Sequence, residues 1–133
     1  MKIAIDMDNT IIDELGSTLR PGIINFLEEL STRHELILWT NSRRIRAMEI
    51  LDHFDIRKYF VKLISRENYD TEEKGLNKDI REYDYDILID DDIEEIRYNQ
   101  NNGKIGILVE SYRKNKKIDE DELGKIIKHW GLF

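Results

Sequence analysis

Carboxylates gather at two points of the chain where they could act together. Asp6 and Asp8 stand two apart in Asp6-Met7-Asp8-Asn9-Thr10, directly after the apolar run Lys2 to Ile5, and Asp90, Asp91 and Asp92 directly follow the run Ile87 to Ile89. Between them come Thr40-Asn41-Ser42, at the end of Leu36 to Trp39, and two lysines, Lys74 and Lys78, upstream of the late acidic cluster. Several carboxylates in one partly desolvated cleft cannot all stay ionised unless a cation compensates them. The chain has no Cys and its three His are far apart, so the donor set is all oxygen, which suits a hard ion such as Mg²⁺. With that charge offset, one carboxylate could attack a phosphorus centre and become an aspartyl-phosphate while another handles the proton of the leaving group.

The elements that must position these residues are legible in the apolar pattern. Lys2 to Ile5, Leu36 to Trp39, Phe60 to Ile64, Ile87 to Ile89 and Ile105 to Val109 are short and β-branched, as buried strands are. Helical spacing lies between them. Pro21 suits a first helical turn, and Ile23, Phe26, Leu27 and Leu30 follow at three-and-four intervals. Ala47, Ile50, Leu51 and Phe54 predict a second helix, Leu76, Ile80 and Tyr83 a third, and Ile93 and Ile96 a short fourth. A last helix carries Leu123, Ile126, Ile127 and Trp130, opened by a capping-box pattern of Asp119 and Glu122. Strands alternating with helices predict an α/β fold, a three-layer doubly wound (Rossmann-like) parallel sheet of about five strands. Such sheets bind ligands beyond the carboxyl ends of their strands, where the acidic and hydroxyl residues fall.

Composition sets the outer limits. With 133 residues the expectation is a single domain, 1–133, and no internal repeat or linker breaks it. A net charge of −7 disfavours stable nucleic-acid binding or an anionic membrane, and the early acidic residues make the N-terminus neither a signal peptide nor a span. The expected setting is cytoplasmic.

Taken in order, Asp-x-Asp-x-Thr, a strand ending in Thr, a Lys, and a strand ending in paired Asp resemble the four motifs of the haloacid-dehalogenase-like (HAD) phosphatases. Arg20-Pro21-Gly22, Leu38-Trp39-Thr40-Asn41-Ser42 and Ile87-Leu88-Ile89-Asp90-Asp91 are most similar to the capless group containing the NLI-interacting-factor-like and RNA polymerase II C-terminal-domain phosphatases. That resemblance, over about residues 1 to 110, implies a phosphomonoester hydrolase with Asp6 as nucleophile and metal ligand and Asp8 as general acid/base. It implies that the Asp8 backbone carbonyl and Asp91 bind Mg²⁺ as well, with Asp90 and Glu95 supporting them. Thr40 and the Asn41 N–H would hold phosphoryl oxygens, and Lys74, chosen over Lys78 by its distance from Asp90-Asp91, would stabilise transferring charge. Neither gap between motifs is long enough for a cap; residues 11 to 35 hold only a hairpin flap, with Gly16-Ser17 as its turn, and one helix. An open cleft of this kind implies large phosphorylated substrates such as phosphoproteins or nucleic-acid ends, or capping through oligomerisation.

Two other functions fit parts of the pattern. Ile5-Asp6-Met7-Asp8-Asn9 and Leu88-Ile89-Asp90-Asp91 also resemble the deoxyribonucleotidases, and a Mg²⁺-binding, phosphorylatable regulatory module resembling a receiver domain would use similar residues in a different order. Trp39 and Trp130 are expected in the core, and the three His in structural or surface places. Arg43, Arg44 and Arg46 open a helix against its dipole, so one of them, Arg43 or Arg44 in particular, is expected to border the cleft and meet an anionic substrate. The basic run Arg113 to Lys117 is expected to be a loop.

Overall fold

The computed structural model describes residues 1–132. The apolar runs form β1 (Lys2–Ile5), β2 (Glu35–Trp39), β3 (Lys62–Ile64), β4 (Ile87–Asp90) and β5 (Ile105–Leu108), paired in parallel in the order β3-β2-β1-β4-β5. The doubly wound expectation holds. Chain order reverses at β1, so the carboxyl ends of β1 and β4 lie side by side, joined by the Asp6 N–H donating to the Ile89 carbonyl at 3.0 Å. This crevice is where a ligand site belongs.

Side-chain alternation along the strands builds a core on each face. Ile3, Ile5, Leu36, Leu38, Ile87 and Ile89 pack with α1 (Ile23–Arg33), α2 (Arg44–His53) and α5 (Glu122–Trp130). Ala4, Ile37, Trp39 and Leu88 face the other way, toward Ile80, Tyr85 and Ile96 of α4 (Ile93–Asn101). Gly106 in β5 lets α4 lie close, because a Cβ there would stand 2.8 Å from Ile96 Cγ2 and 3.0 Å from the Ile96 carbonyl oxygen. That closeness fixes α4, whose first two turns border the site.

Several local expectations are corrected. The helix expected through Leu76, Ile80 and Tyr83 does not form; residues 74 to 79 are irregular and only Ile80–Tyr83 makes a 3₁₀ turn. The Asp70 carboxylate accepts from the N–H groups of Lys74, Gly75 and Leu76, and Gly75 has φ +72°, so the backbone is captured before a helix can start. A four-residue helix, α3 (Arg66–Tyr69), precedes it instead, capped reciprocally by Ser65 and Asn68. Pro21 stands before α1 rather than in it, with Gly22 at the N-cap at φ +82°. The capping box at Asp119 is absent because α5 starts at Glu122, whose carboxylate turns inward to the buried Arg20 and to the Glu110 N–H. Trp39 is fully buried, whereas Trp130 is 41% exposed.

The flap is real. Ile12 bridges to Leu19, and the Asp13 carboxylate closes the turn by accepting from the N–H groups of Leu15 and Ser17 and the hydroxyls of Ser17 and Thr18. Those four donors hold the Asp13 carboxyl down at about 2, against the opposing effect of its burial. No cap domain interrupts the strands among the described residues, and no helix there is long and apolar enough to cross a membrane.

Candidate active site

The ends of β1, β2 and β4 line a cleft of about 600 Å³ whose walls include Asp6, Asp8, Asn41, Ser42, Tyr69, Lys78 and Asp90 to Asp92. Asp6 and Asp90 sit on its floor because each directly continues a buried strand, and Lys78 lies between them. Its Nζ is 2.7 Å from Asp6 Oδ1 and 2.8 Å from Asp90 Oδ2, and all three side chains are at least nine-tenths buried. Burial opposes a charge on Lys78, but Asp6 and Asp90 outweigh it and raise its pKa well above the usual value. Burial likewise pushes the Asp6 carboxyl well up; the Lys78 ammonium opposes this, while Asp90 and Asp91 add to it. Tyr69, half-buried in the cleft wall, is pushed up to about 12 by burial.

Lys78 is itself fixed from α4. Glu95 accepts from the Lys78 N–H at 2.8 Å and from the Asn77 side chain, while Asn99 donates to the Lys78 carbonyl and accepts from the Ile80 N–H. Glu95 and Asn99 are one helical turn apart, so a single helix face holds the lysine segment in extended form. Lys74, expected in this place, is turned away: its Nζ pairs with Glu72 at 2.6 Å and its side chain is 65% exposed. The Asp70 turn that pre-empts the third helix also sends Lys74 outward, so the lysine of the cleft is Lys78 and not Lys74.

Oxygens of Asp6, Asp90 and Asp91 lie within 4.8 Å of one another. Thr10 links two of them, its hydroxyl placed to donate at 2.9 Å to Asp6 Oδ2 and lying 3.3 Å from Asp91 Oδ1. Both Asp90 oxygens are engaged, Oδ2 by Lys78 and Oδ1 by the Asp92 N–H at 3.0 Å. Asp6 Oδ2 and Asp91, which share the single Thr10 hydroxyl and meet no ammonium or backbone N–H among the described residues, are therefore the oxygens left to face a further cation. Three carboxylates against one ammonium leave an excess of two negative charges, which a divalent ion would cancel, and the donors are hard oxygens. The residues fit a magnesium-type ion.

The other candidates are distributed along the walls. Thr40 is buried at the end of β2, its hydroxyl oxygen accepting from the Ser42 N–H at 3.0 Å; the Asn41 carbonyl takes the Arg66 Nε, and the Asn41 N–H has no acceptor among the described residues. Asp8 is not among the clustered carboxylates: it faces the start of α2, where Ser42 Oγ of the preceding loop is 2.8 Å from its Oδ2 and Arg46 Nη1 of the helix 2.8 Å from its Oδ1. Of the arginines that open α2, Arg46 is the one that meets a cleft carboxylate. Arg43 lies outward, 4.0 Å from Glu73, and Arg44 reaches the Leu63 carbonyl. Sequence reasoning left the linking role of Thr10 and the arm of Arg46 undrawn; the Thr of Asp-x-Asp-x-Thr was a signal for the first, and nothing in the arginine run singled out the second.

Residues 2–130 match the family model described as NLI interacting factor-like phosphatase. The chain belongs to that family. Its fold is shared with solved structures of phosphatases and other enzymes. A Thermotoga maritima protein described as a candidate beta-phosphoglucomutase aligns with a TM-score of 0.70 and 14% identity over 96% of this chain and 98% of its own. A variant of the fission yeast RNA polymerase II CTD phosphatase Fcp1, bound to beryllium fluoride, aligns with a TM-score of 0.66 and 17% identity over 97% of this chain but only 50% of its own. The core domain of a Streptococcus pneumoniae protein described as a candidate phosphoglycolate phosphatase gives a TM-score of 0.60 and 16% identity, over 96% and 94%. Family membership makes the protein a phosphatase acting on phosphorylated substrates; the structural likenesses, all below 20% identity, speak for the fold.

Proposed function

We propose that this phosphatase is a Mg²⁺-dependent phosphomonoester hydrolase that carries the phosphoryl group covalently on Asp6. The observation that carries the reading is the buried Asp6–Lys78–Asp90 array at the strand ends, with Asp91 beside it and Asp6 opening into the cleft. An Asp6 carboxylate oxygen forms a bond to phosphorus as the ester P–O bond breaks, and Asp8 gives a proton to the departing oxygen. Asp8 then takes a proton from a water whose oxygen attacks phosphorus, which frees inorganic phosphate and restores the Asp6 carboxylate. Lys78 faces the charge that gathers on the phosphoryl oxygens, and the Thr40 hydroxyl and Asn41 N–H supply further donors. Asp90 and Glu95 hold Lys78 in place.

Asp6, Asp91 and the Asp8 backbone carbonyl would hold Mg²⁺, which when bound supplies charge neutralisation and orients the phosphoryl oxygens. The cleft has no cap over it among the described residues, which supports large phosphorylated substrates such as phosphoproteins. The test is hydrolysis of p-nitrophenyl phosphate with Mg²⁺ and with EDTA, beside Asp6→Asn and Asp8→Asn. Turnover that requires the ion and both aspartates supports the mechanism. Undiminished turnover by Asp6→Asn, or activity in EDTA equal to that in Mg²⁺, overturns it.

A further inference from the structure

The side chain of Arg46 reaches across from α2 to Asp8, a cleft carboxylate outside the Asp6, Asp90 and Asp91 cluster. Its Nη1 lies 2.8 Å from Asp8 Oδ1, 3.1 Å from Asp8 Oδ2 and 2.7 Å from Ser42 Oγ, and Ser42 Oγ lies 2.8 Å from Asp8 Oδ2. Asp8 thus has two partners, both on the α2 side. On the far side of the guanidinium is the flap turn, where a Cβ at Gly16 would stand 3.3 Å from Arg46 Nη2 and 3.1 Å from Ile50 Cδ1. Arg46 is held between flap and cleft. A cation in the first turn of a helix that has no acidic residue there works against the helix dipole, so its position is rewarded elsewhere, and Asp8 is the carboxylate it meets.

We propose that Arg46 is the positioning residue for Asp8: through Asp8 and Ser42 it keeps the proton-transferring carboxylate beside the leaving group and clear of Asp6, Asp90 and Asp91. This rests on the acid/base part of the proposed mechanism. It makes a statement about substrate, because proton donation matters little when the leaving group is a good one and much when it is poor. Arg46 therefore governs how well the enzyme cleaves esters with basic leaving groups, the class that includes phosphoserine and phosphothreonine.

The experiment is a series of aryl phosphates, from p-nitrophenyl to phenyl phosphate, with kcat/KM plotted against leaving-group pKa for wild type, Arg46→Met, Arg46→Lys, Asp8→Asn and the Arg46→Met/Asp8→Asn pair, all with Mg²⁺. Arg46→Met is expected to lose on the order of tenfold more on phenyl than on p-nitrophenyl phosphate, a fraction of the full worth of a general acid. Arg46→Lys should fall between it and wild type, since an ammonium restores the charge without the planar reach. In the Asp8→Asn background the same Arg46 change should add nothing further. Equal losses across the series, by Arg46→Met or, should that variant not fold, by Arg46→Lys, would overturn the proposal, because weakened substrate binding or general loosening acts on every ester alike. A full additional loss in the double variant would also overturn it. If Asp8→Asn itself keeps the wild-type slope, the acid/base reading has failed; if Asp8→Asn steepens the slope and neither Arg46 variant does, only the positioning role has failed.

Discussion

Removing the Lys78 ammonium is the change to which the site should be most sensitive. In Lys78→Met a side chain of similar length stays in the pocket, but Asp6 and Asp90 lose a partner at 2.7 and 2.8 Å, and with Asp91 nearby the buried floor holds only carboxylates. Breaking a buried ion pair from one side costs about 3–5 kcal/mol, and a domain of this size shifts its midpoint by several degrees per kcal/mol. Without added metal, the thermal midpoint should fall by roughly 10–20 °C. Saturating Mg²⁺ should recover part of that loss, because an ion that binds only the folded state stabilises it and supplies the charge Lys78 withheld. Hydrolysis of p-nitrophenyl phosphate should stay at least about a hundredfold down even with Mg²⁺, as the donor facing the transferring phosphoryl group is gone. Lys74→Met, at an exposed lysine paired only with Glu72, should change midpoint and rate little. The assays are thermal unfolding followed by circular dichroism, with and without Mg²⁺, and steady-state turnover. A silent Lys78→Met, or a damaging Lys74→Met, would refute the reasoning.

Two further predictions concern the frame. Asp13 ties the flap turn with four hydrogen bonds that lower its pKa from 3.8 to about 2, so its stabilisation is fully present above about pH 4 and is lost as pH falls through about 2. Since Asn keeps one acceptor oxygen, Asp13→Asn should cost about 1–2 kcal/mol in urea melts at pH 7, with the deficit shrinking toward pH 2; a deficit equal at both pH values would contradict this. Gly106→Ala should destabilise the protein by about 1–3 kcal/mol in the same melts, since the new Cβ would meet Ile96 Cγ2 at 2.8 Å, and an unchanged midpoint would show that α4 is not held as closely as described.

The sheet was legible in the sequence because buried parallel strands are short apolar runs, and all five runs are strands within two residues of their expected ends. Residues that continue those strands directly, Asp6, Thr40 and Asp90, were placed by the same signal. What was not legible lies in segments governed by side chains capturing backbone groups. Leu76, Ile80 and Tyr83 carry a helical spacing, but Asp70 takes three N–H groups of that segment and Asn99 takes another, so periodicity misled there. The choice of Lys74 followed from counting along the chain. The choice between two lysines four residues apart depends on whether the segment is coiled or extended, and Glu95 and Asn99, far away in sequence, decide it. Trp130 ends an apolar stripe at a helix terminus and is left 41% exposed there, which spacing alone could not reveal.

The covalent role of Asp6 is the step on which the proposed mechanism turns. Mixing the Asp8→Asn variant with p-nitrophenyl phosphate and Mg²⁺, quenching in acid and mapping the phosphoryl group by peptide mass spectrometry tests it, because Asp8→Asn slows release and lets the intermediate accumulate. The mechanism predicts an acid-stable, base-labile phosphoryl group on Asp6, formed with a burst of p-nitrophenol. Wild-type turnover accompanied by no phosphoryl group on Asp6, or by one on another residue, would contradict it.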